Sequence, residues 1–321
     1  MTQLLKVRVA RKSMLAEAIC GFDLVPLVRE SLPPFTPGAH IDVHLPGGII
    51  RQYSLCNDSA TPDLYRIAVL REAEGRGGSA AMHEIVQEGD VLTIGAPRNH
   101  FPLASGTGSS ILVAGGIGIT PLLAMVQELA SARRGFELHY CTRNEARTAF
   151  RELLMESRFA GGVHIHRDDG PADQRFDPAQ VLQQAPGDAH LYVCGPGGFI
   201  QWVLDTATQC GWSEDRLHRE YFSAAAVSRT GSDAAFDVVL ASSGKVVRVA
   251  VGQTIVHALT TAGVEVATSC EQGVCGTCVT RVLDGVPDHR DLFLTPDEQA
   301  ANDQLTPCCS RSKSPRLVLD L

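Results

Sequence analysis

Four cysteines toward the C-terminal end carry the most specific chemistry in the sequence. Cys270, Cys275 and Cys278 lie in the stretch SCEQGVCGTC, and Cys308 lies in TPCCSR. A C-x4-C-x2-C run with a fourth cysteine far downstream is the ligand spacing of a plant-type [2Fe–2S] cluster. Three thiolates come from one loop wrapped round two irons, and the fourth closes the cage. Gly273 and Gly276 stand between the ligands, where the backbone must turn sharply and aim N–H groups at sulfur, and glycine permits this. Small Thr277 leaves room for the same approach. Structural zinc is a competing reading, but it favours two short cysteine pairs and only one is present. Disulfides compete only in an oxidising compartment.

Other residues suit phosphorylated ligands. Arg51-Gln52-Tyr53-Ser54-Leu55 reads as a strand, on which residues 51, 53 and 55 share one face and 52 and 54 the other. Its edge offers a cation, an aromatic ring and a hydroxyl to a planar phosphorylated ligand. Alone, the pattern also fits a half-buried strand with a snorkelling arginine. Gly75-Arg76-Gly77-Gly78-Ser79 opens a helical stretch over 80–87, and free N–H groups at a helix start attract phosphate. The plainer alternative is a turn capped by Ser79. GGIGITP (115–121) follows the apolar run Ile111–Ala114, and CGPGGF (194–199) ends another strand. One such loop is moderate evidence for dinucleotide binding and also serves tight helix–strand packing. Two loops on strand ends of one sheet weaken the packing explanation.

The elements that must position these residues fall into three regions. Over 1–103, strict alternation from Ala39 to Leu45 and short β-rich runs between Pro and Gly favour a small barrel or sandwich. Over 104–222, strands at 111–114, 137–141, 163–166 and 189–194 alternate with helices at 122–132, 145–155, 177–184 and 197–210. That alternation predicts a parallel sheet with ligands at its C-terminal strand ends. Residues 223–235, small and polar, read as a linker. Over 236–321, a hairpin (236–240 and 246–251), a helix (254–262), a strand (279–283) and a final strand within 315–321 suit a compact ferredoxin module.

At 321 residues the chain suits two or three domains, and its net charge of −8 argues against nucleic acid as a partner. The N-terminus lacks the apolar segment of a secretion signal, and no apolar run is long enough to span a membrane. Ten cysteines in such a chain indicate reduced thiols, a cofactor and a cytoplasmic setting. Cys20, Cys56, Cys141, Cys194 and Cys210 mostly sit in apolar stretches and read as core residues.

In the order RQYSL, GGIGITP, CGPGGF, linker, CEQGVCGTC, the chain resembles the phthalate dioxygenase reductase family over essentially its whole length. HLYVCGPGGF, LHREYF, PDHRDLFLT and TPCCSRSKSPRLVLDL extend the resemblance. It implies a multi-domain fold: an antiparallel β-barrel FMN domain (1–103), an α/β NADH domain (104–222), the linker (223–235) and an α+β β-grasp ferredoxin domain (236–321). It also implies a reductase that passes electrons from NADH through FMN and a [2Fe–2S] cluster to a Rieske-type aromatic oxygenase or O-demethylase. On this resemblance Arg51 holds the flavin phosphate, Tyr53 lies against the isoalloxazine and Ser54 is near its reactive edge. Gly77, Gly78 and Ser79 match the phosphate loop. Thr120, beside Gly115, Gly116 and Gly118, lies near flavin and nicotinamide. Cys194, Gly195 and Pro196 lie near the nicotinamide, and Phe222 adjoins the flavin. The family's fourth ligand opens a C-x-S-R sequence, which makes it Cys308 and leaves Cys309 in the variable place.

Electron counting supports the set of cofactors. NADH releases a hydride and the cluster takes one electron at a time, so a flavin must stand between them. FMN over FAD rests on the resemblance. An FAD-containing reductase of another monooxygenase is the alternative, but its ferredoxin usually comes first in the chain. A non-catalytic redox sensor would not need two nucleotide loops and a flavin strand. Arg143 and Arg167 near strand ends suit a 2′-phosphate, but Asp168 and Asp169 beside Arg167 repel one and favour NADH. Glu271, Asp284, Asp288 and Asp291 form either an acidic docking face near the cluster or a solvated acidic surface, diluted by His289 and Arg290.

Overall fold

Two units divide the chain, Met1–Glu220 and Tyr221–Leu321. Residues 3–28, 31–61, 63–73, 75, 77–106, 108–159, 161–222 and 233–321 are described by the computed structural model. Arg76 of the glycine turn and 223–232 of the expected linker lie outside them.

The first unit opens with β1 (Leu4–Ala16), β2 (Ile19–Pro26), β3 (Ala39–Leu45), β4 (Ile49–Ser54), β5 (Tyr65–Leu70), β6 (Val91–Gly95) and the short β7 (Arg98–Asn99). Their order is β4-β3-β6-β1-β2-β5, with β7 on β3, and the pairing is antiparallel. A bridge between Leu55 and Ile67 joins the two ends of this path, so the sheet curls into a barrel. Val7, Val9, Phe22, Leu24, Ile41, Val43 and Ile67 are sealed inside it, because alternate strand residues share one face. Between β3 and β4 the chain reverses through Pro46–Gly48, with φ of 79° at Gly47 and 75° at Gly48. Helix α1 (Gly78–Glu84) follows β5.

The same unit continues with β8 (Ser110–Gly115), β9 (Phe136–Thr142), β10 (Val163–Arg167), β11 (His190–Gly195) and β12 (Leu217–Tyr221), in the order β10-β9-β8-β11-β12. Strands β8 to β11 are parallel. Every residue of β8 is buried, as expected of a central strand covered on both faces. Helices α2 (Ile119–Ser131), α3 (Arg151–Leu154), α4 (Pro178–Gln184) and α5 (Gly197–Gln209) connect them. The single helix expected over 145–155 is instead a 3-10 turn (Glu145–Arg147) and α3, broken by Phe150 at φ 60°. Strand β12 had no counterpart among the expected elements.

In the second unit, β13 (Phe236–Leu240) and β14 (Val246–Val249) form the expected hairpin, with Gly244 at φ 67°. Thr254 caps α6 (Ile255–Thr261) by accepting from the His257 N–H. Then come β15 (Thr280–Asp284), β16 (Pro287–Asp288), α7 (Pro296–Ala301), β17 (Gln304–Leu305), β18 (Arg311–Ser312) and β19 (Arg316–Leu319). The main sheet runs β14-β13-β19-β15-β17, with β16 and β18 paired apart. Its strands and α6 enclose Phe236, Val238, Ile255, Leu259, Leu317 and Leu319. The linker expected up to 235 ends earlier in effect. Asp233 pairs with Arg290 at 2.8 Å, and buried Arg311 donates to the carbonyls of Ala234 and Ala250.

Candidate functional site

The four candidate cluster ligands converge, three from one loop and the fourth, Cys308, from a later segment. Cys270, Cys275, Cys278 and Cys308 are all buried. The Cys270 thiol is in hydrogen-bond contact with those of Cys275 and Cys308, and Cys278 with Cys308. Contact with the thiols of Cys275 and Cys308 lowers the Cys270 thiol, against the upward push of burial. The loop's shape follows from its glycines. Gly273 and Gly276 take φ of 72° and 68°, and a Cβ on Gly276 would stand 2.2 Å from the Phe293 ring. The Gln272 N–H reaches the Cys270 sulfur at 3.3 Å, and the Thr277 hydroxyl lies 3.2 Å from that of Cys275. Thr277 is therefore a sulfur contact as well as a small residue. Amide N–H groups aimed at sulfur stabilise negative charge there, as an iron–sulfur cluster requires. Cys309 lies 3.2 Å from the Thr306 hydroxyl, and its thiol also contacts that of Cys308, beside Gly273.

The surrounding acids differ from the expected face. Asp291 is buried; it accepts from the Leu294 N–H at 2.7 Å and from the Ser310 hydroxyl at 3.4 Å. It therefore fastens the 289–294 loop and cannot belong to a docking surface. Asp288 and Asp284 are tied to Arg290 and Arg316 at 2.7 and 3.2 Å. Leu292 is 45% exposed in the same loop, and its N–H donates to the Gly273 carbonyl, so the rim beside the cysteines is partly apolar.

In the first unit, β4 and the glycine turn meet. A Cβ on Gly78 would stand 2.5 Å from Arg51 Cγ and 2.7 Å from its Nε, so the arginine lies along the turn. Gly77, at φ 80°, occupies the N-cap of α1 with no side-chain cap. Ser79 is not the cap: its hydroxyl accepts from the Glu72 N–H. Tyr53 packs on the barrel core, and burial raises its phenol against the pull of Arg51. A cation laid over an uncapped glycine turn beside an aromatic ring fits a flavin phosphate and its ring system.

A carboxylate absent from the expected set sits close by. Ser54 hydrogen-bonds Glu220 of β12, and the Glu220 Oε2 is buried without a hydrogen-bond partner. Burial pushes this carboxyl up to about 8, partly countered by Ser54. Cys194 feels its charge, and burial raises that thiol first and further. Ser54, Cys194 and Glu220 thus bring the barrel and the parallel sheet together at one enclosed polar spot. An acid flanked by Arg219 and Tyr221 in a strand was the only sequence signal for it.

The two glycine loops touch. A Cβ on Gly118 would stand 2.2 Å from the Cys194 carbonyl oxygen, and one on Gly195 would stand 3.0 Å from Gly115 Cα. Thr120 is buried, and its hydroxyl donates to the Ile117 carbonyl at 3.0 Å, so it braces its own loop. At these strand ends opens a cleft of about 370 Å³, lined by Gly115, Gly116, Pro196, Phe199, Arg143 and Asp168 among others. Cys141 also lines it and, like Cys210, is only partly buried, so neither is a simple core residue. Arg167 is bound to Glu145 at 2.9 Å and approaches Asp169 at 3.7 Å. Phe222 is 39% exposed, just beyond β12.

Comparison with known proteins gives the family. Residues 112–205 match the oxidoreductase NAD-binding domain and residues 238–313 the 2Fe-2S iron-sulfur cluster binding domain. The chain is 51% identical over 318 residues to a vanillate O-demethylase oxidoreductase of Pseudomonas sp., covering 99% of this chain and 100% of that one. It is 54% identical to one from Pseudomonas putida, over 95% of this chain and 96% of that one. The solved phthalate dioxygenase reductase, described as modular for electron transfer from pyridine nucleotides to [2Fe–2S], superposes with a TM-score of 0.76 at 39% identity, covering 99% of this chain and 98% of its own. The cysteine cradle, the glycine loops and this end-to-end likeness make the chain an oxidoreductase of the phthalate dioxygenase reductase family, alongside the vanillate O-demethylase oxidoreductases.

Proposed function

We propose that this chain is the reductase component of a vanillate O-demethylase, carrying electrons from NADH through FMN and a [2Fe–2S] cluster to a Rieske-type oxygenase in the cytoplasm. The observation that carries the reading is the meeting of three thiols of one loop with the distant Cys308 in a chain that also builds a nucleotide cleft, with relatives matched end to end. Cys270, Cys275, Cys278 and Cys308 hold the cluster. Arg51, Gly77, Gly78 and Ser79 hold the flavin phosphate, with Tyr53 against the ring. Gly115, Gly116, Gly118, Gly195 and Pro196 allow the coenzyme close to the backbone, with Thr120 bracing that loop. Cys194 and Phe222 border the reacting rings. Bound flavin supplies the conversion of a two-electron hydride into single electrons. Ser54 and Glu220 orient one another, and Glu220 keeps its proton at neutral pH, so it stands beside the reacting rings as a neutral hydrogen-bond donor. Asp168, with Arg167 already engaged, disfavours a 2′-phosphate and so selects NADH. Ten free cysteines suit a reducing compartment, and among the described residues no helix is long and apolar enough to cross a membrane.

Reconstitution with the oxygenase component of a vanillate O-demethylase tests the assignment. Vanillate-dependent NADH oxidation that needs both components is expected. Turnover only with a phthalate dioxygenase oxygenase would reassign the partner.

A further inference from the structure

Three histidines stand on adjacent strands behind the cleft. His139 on β9 stacks on His164 and His166 of β10, with ring centroids 5.0 and 5.3 Å apart. The stack continues through Phe176, 5.4 Å from His139 and 5.3 Å from His166, to Phe199 and Trp202 at 6.3 and 5.9 Å. His166, Arg175, Phe176, Phe199 and Trp202 all line the cleft.

Hydrogen bonding fixes the tautomers. His166 Nδ1 lies 3.0 Å from the Gln174 carbonyl, which can only accept, so Nδ1 carries the proton. Neutral His166 then accepts at Nε2, and the donor must be His139 Nδ1 at 3.1 Å. His139 Nε2 is left without a proton; it is buried, makes no hydrogen bond, and has the Glu137 carboxylate 3.6 Å away. Burial, then His164 and His166, hold His139 down to about 3, so it stays neutral. An aliphatic side chain would fill this space without an unsatisfied nitrogen. What the imidazoles provide instead is a directed bond to Gln174, the last residue of the 3-10 turn Ala172–Gln174. Arg175 and Phe176 follow at once and form the cleft wall.

We propose that His166, oriented by His139, is a positioning residue for the pyridine nucleotide: its bond to the Gln174 carbonyl sets Arg175 and Phe176 in the wall that the coenzyme meets. The inference rests on reading the cleft as the NADH site.

Two substitutions of His166 in the full holoprotein separate the hydrogen bond from the stacking. His166→Phe keeps an aromatic ring and removes both nitrogens. His166→Asn keeps an N–H donor close to the Nδ1 position. Losing one neutral hydrogen bond corresponds to about a five- to tenfold change. Expected for His166→Phe is a rise of about five- to tenfold in KM for NADH and in Kd for NAD⁺ by calorimetry, with kcat within about twofold; His166→Asn stays within about twofold of the parent in all three. His139→Phe, which removes the orienting donor, shifts KM and Kd in the same direction by less, and it decides the matter if His166→Phe fails to fold. Parental KM and Kd in His166→Phe, or equal damage in the Phe and Asn variants, would overturn the proposal. Failure of NADH to reduce the parent protein would instead overturn the coenzyme reading beneath it.

Discussion

At the scale of single residues, two neighbouring cysteines have opposite fates. Cys308 meets Cys270 and Cys278, whereas Cys309 contacts Cys308 and Thr306. Cys308→Ser is expected to abolish the visible and EPR signatures of the cluster, and Cys309→Ser to retain them; the reverse result would shift the fourth ligand. Glu220 carries a pH prediction. Its folded pKa of about 8 lies above the ordinary carboxyl range, so the folded state binds more protons than the unfolded one between about 4.5 and about 8. Stability from this group is full below that window and is lost as pH rises through about 8. Glu220→Gln removes the loss. Its unfolding free energy from urea titration should match the parent at pH 5 and exceed it at pH 9, by up to a few kcal/mol, taking about 1.4 kcal/mol per pKa unit as the ceiling. Parallel pH curves for the two proteins would contradict an enclosed, protonated Glu220. The cysteine pattern was legible because ligand spacing is local. Glu220 was not, because its neighbours Ser54 and Cys194 are far away in sequence and only the fold makes the carboxylate solitary.

At the scale of elements, the glycines separate folding from binding. A Cβ on Gly118 runs into a carbonyl at 2.2 Å, which is backbone and cannot give way; one on Gly78 meets the Arg51 side chain at 2.5 Å, which can swing aside. Gly118→Ala is therefore expected to lower the melting temperature by several degrees, through a loss of about 2 kcal/mol or more. Gly78→Ala should leave the melting temperature of flavin-free protein nearly unchanged and weaken flavin binding about tenfold or more, by displacing the cation from the turn. Equal thermal losses in the two variants would show that Gly78 is structural. The strands β3 and β8 to β11 were readable from alternation and apolar runs, and helices α4 and α5 from their places between strands, whereas β12 was not read. The 145–155 helix was not, because Phe150 at φ 60° breaks it and no Gly or Pro announces the break. The acidic surface was misread for a related reason. Asp291 looks solvated in sequence, yet its carboxylate fastens a loop by accepting from Leu294 and Ser310.

At the scale of the whole molecule, the account requires one chain to hold two redox centres and a coenzyme site. The barrel supplies a cation over a glycine turn, the parallel sheet supplies a cleft at its strand ends, and the C-terminal unit supplies four converging thiols. The order of these parts was visible in the motif order. The end of the linker was not, because Asp233 is captured by Arg290, which lies far along the chain. The most direct test of the central claim is an anaerobic titration of the purified holoprotein with NADH, followed by absorbance and EPR, with the released flavin identified. The account predicts FMN, bleaching of the flavin band, and the EPR signal of a reduced [2Fe–2S] cluster growing with added NADH. Flavin bleaching with a cluster that stays EPR-silent under excess NADH would contradict it.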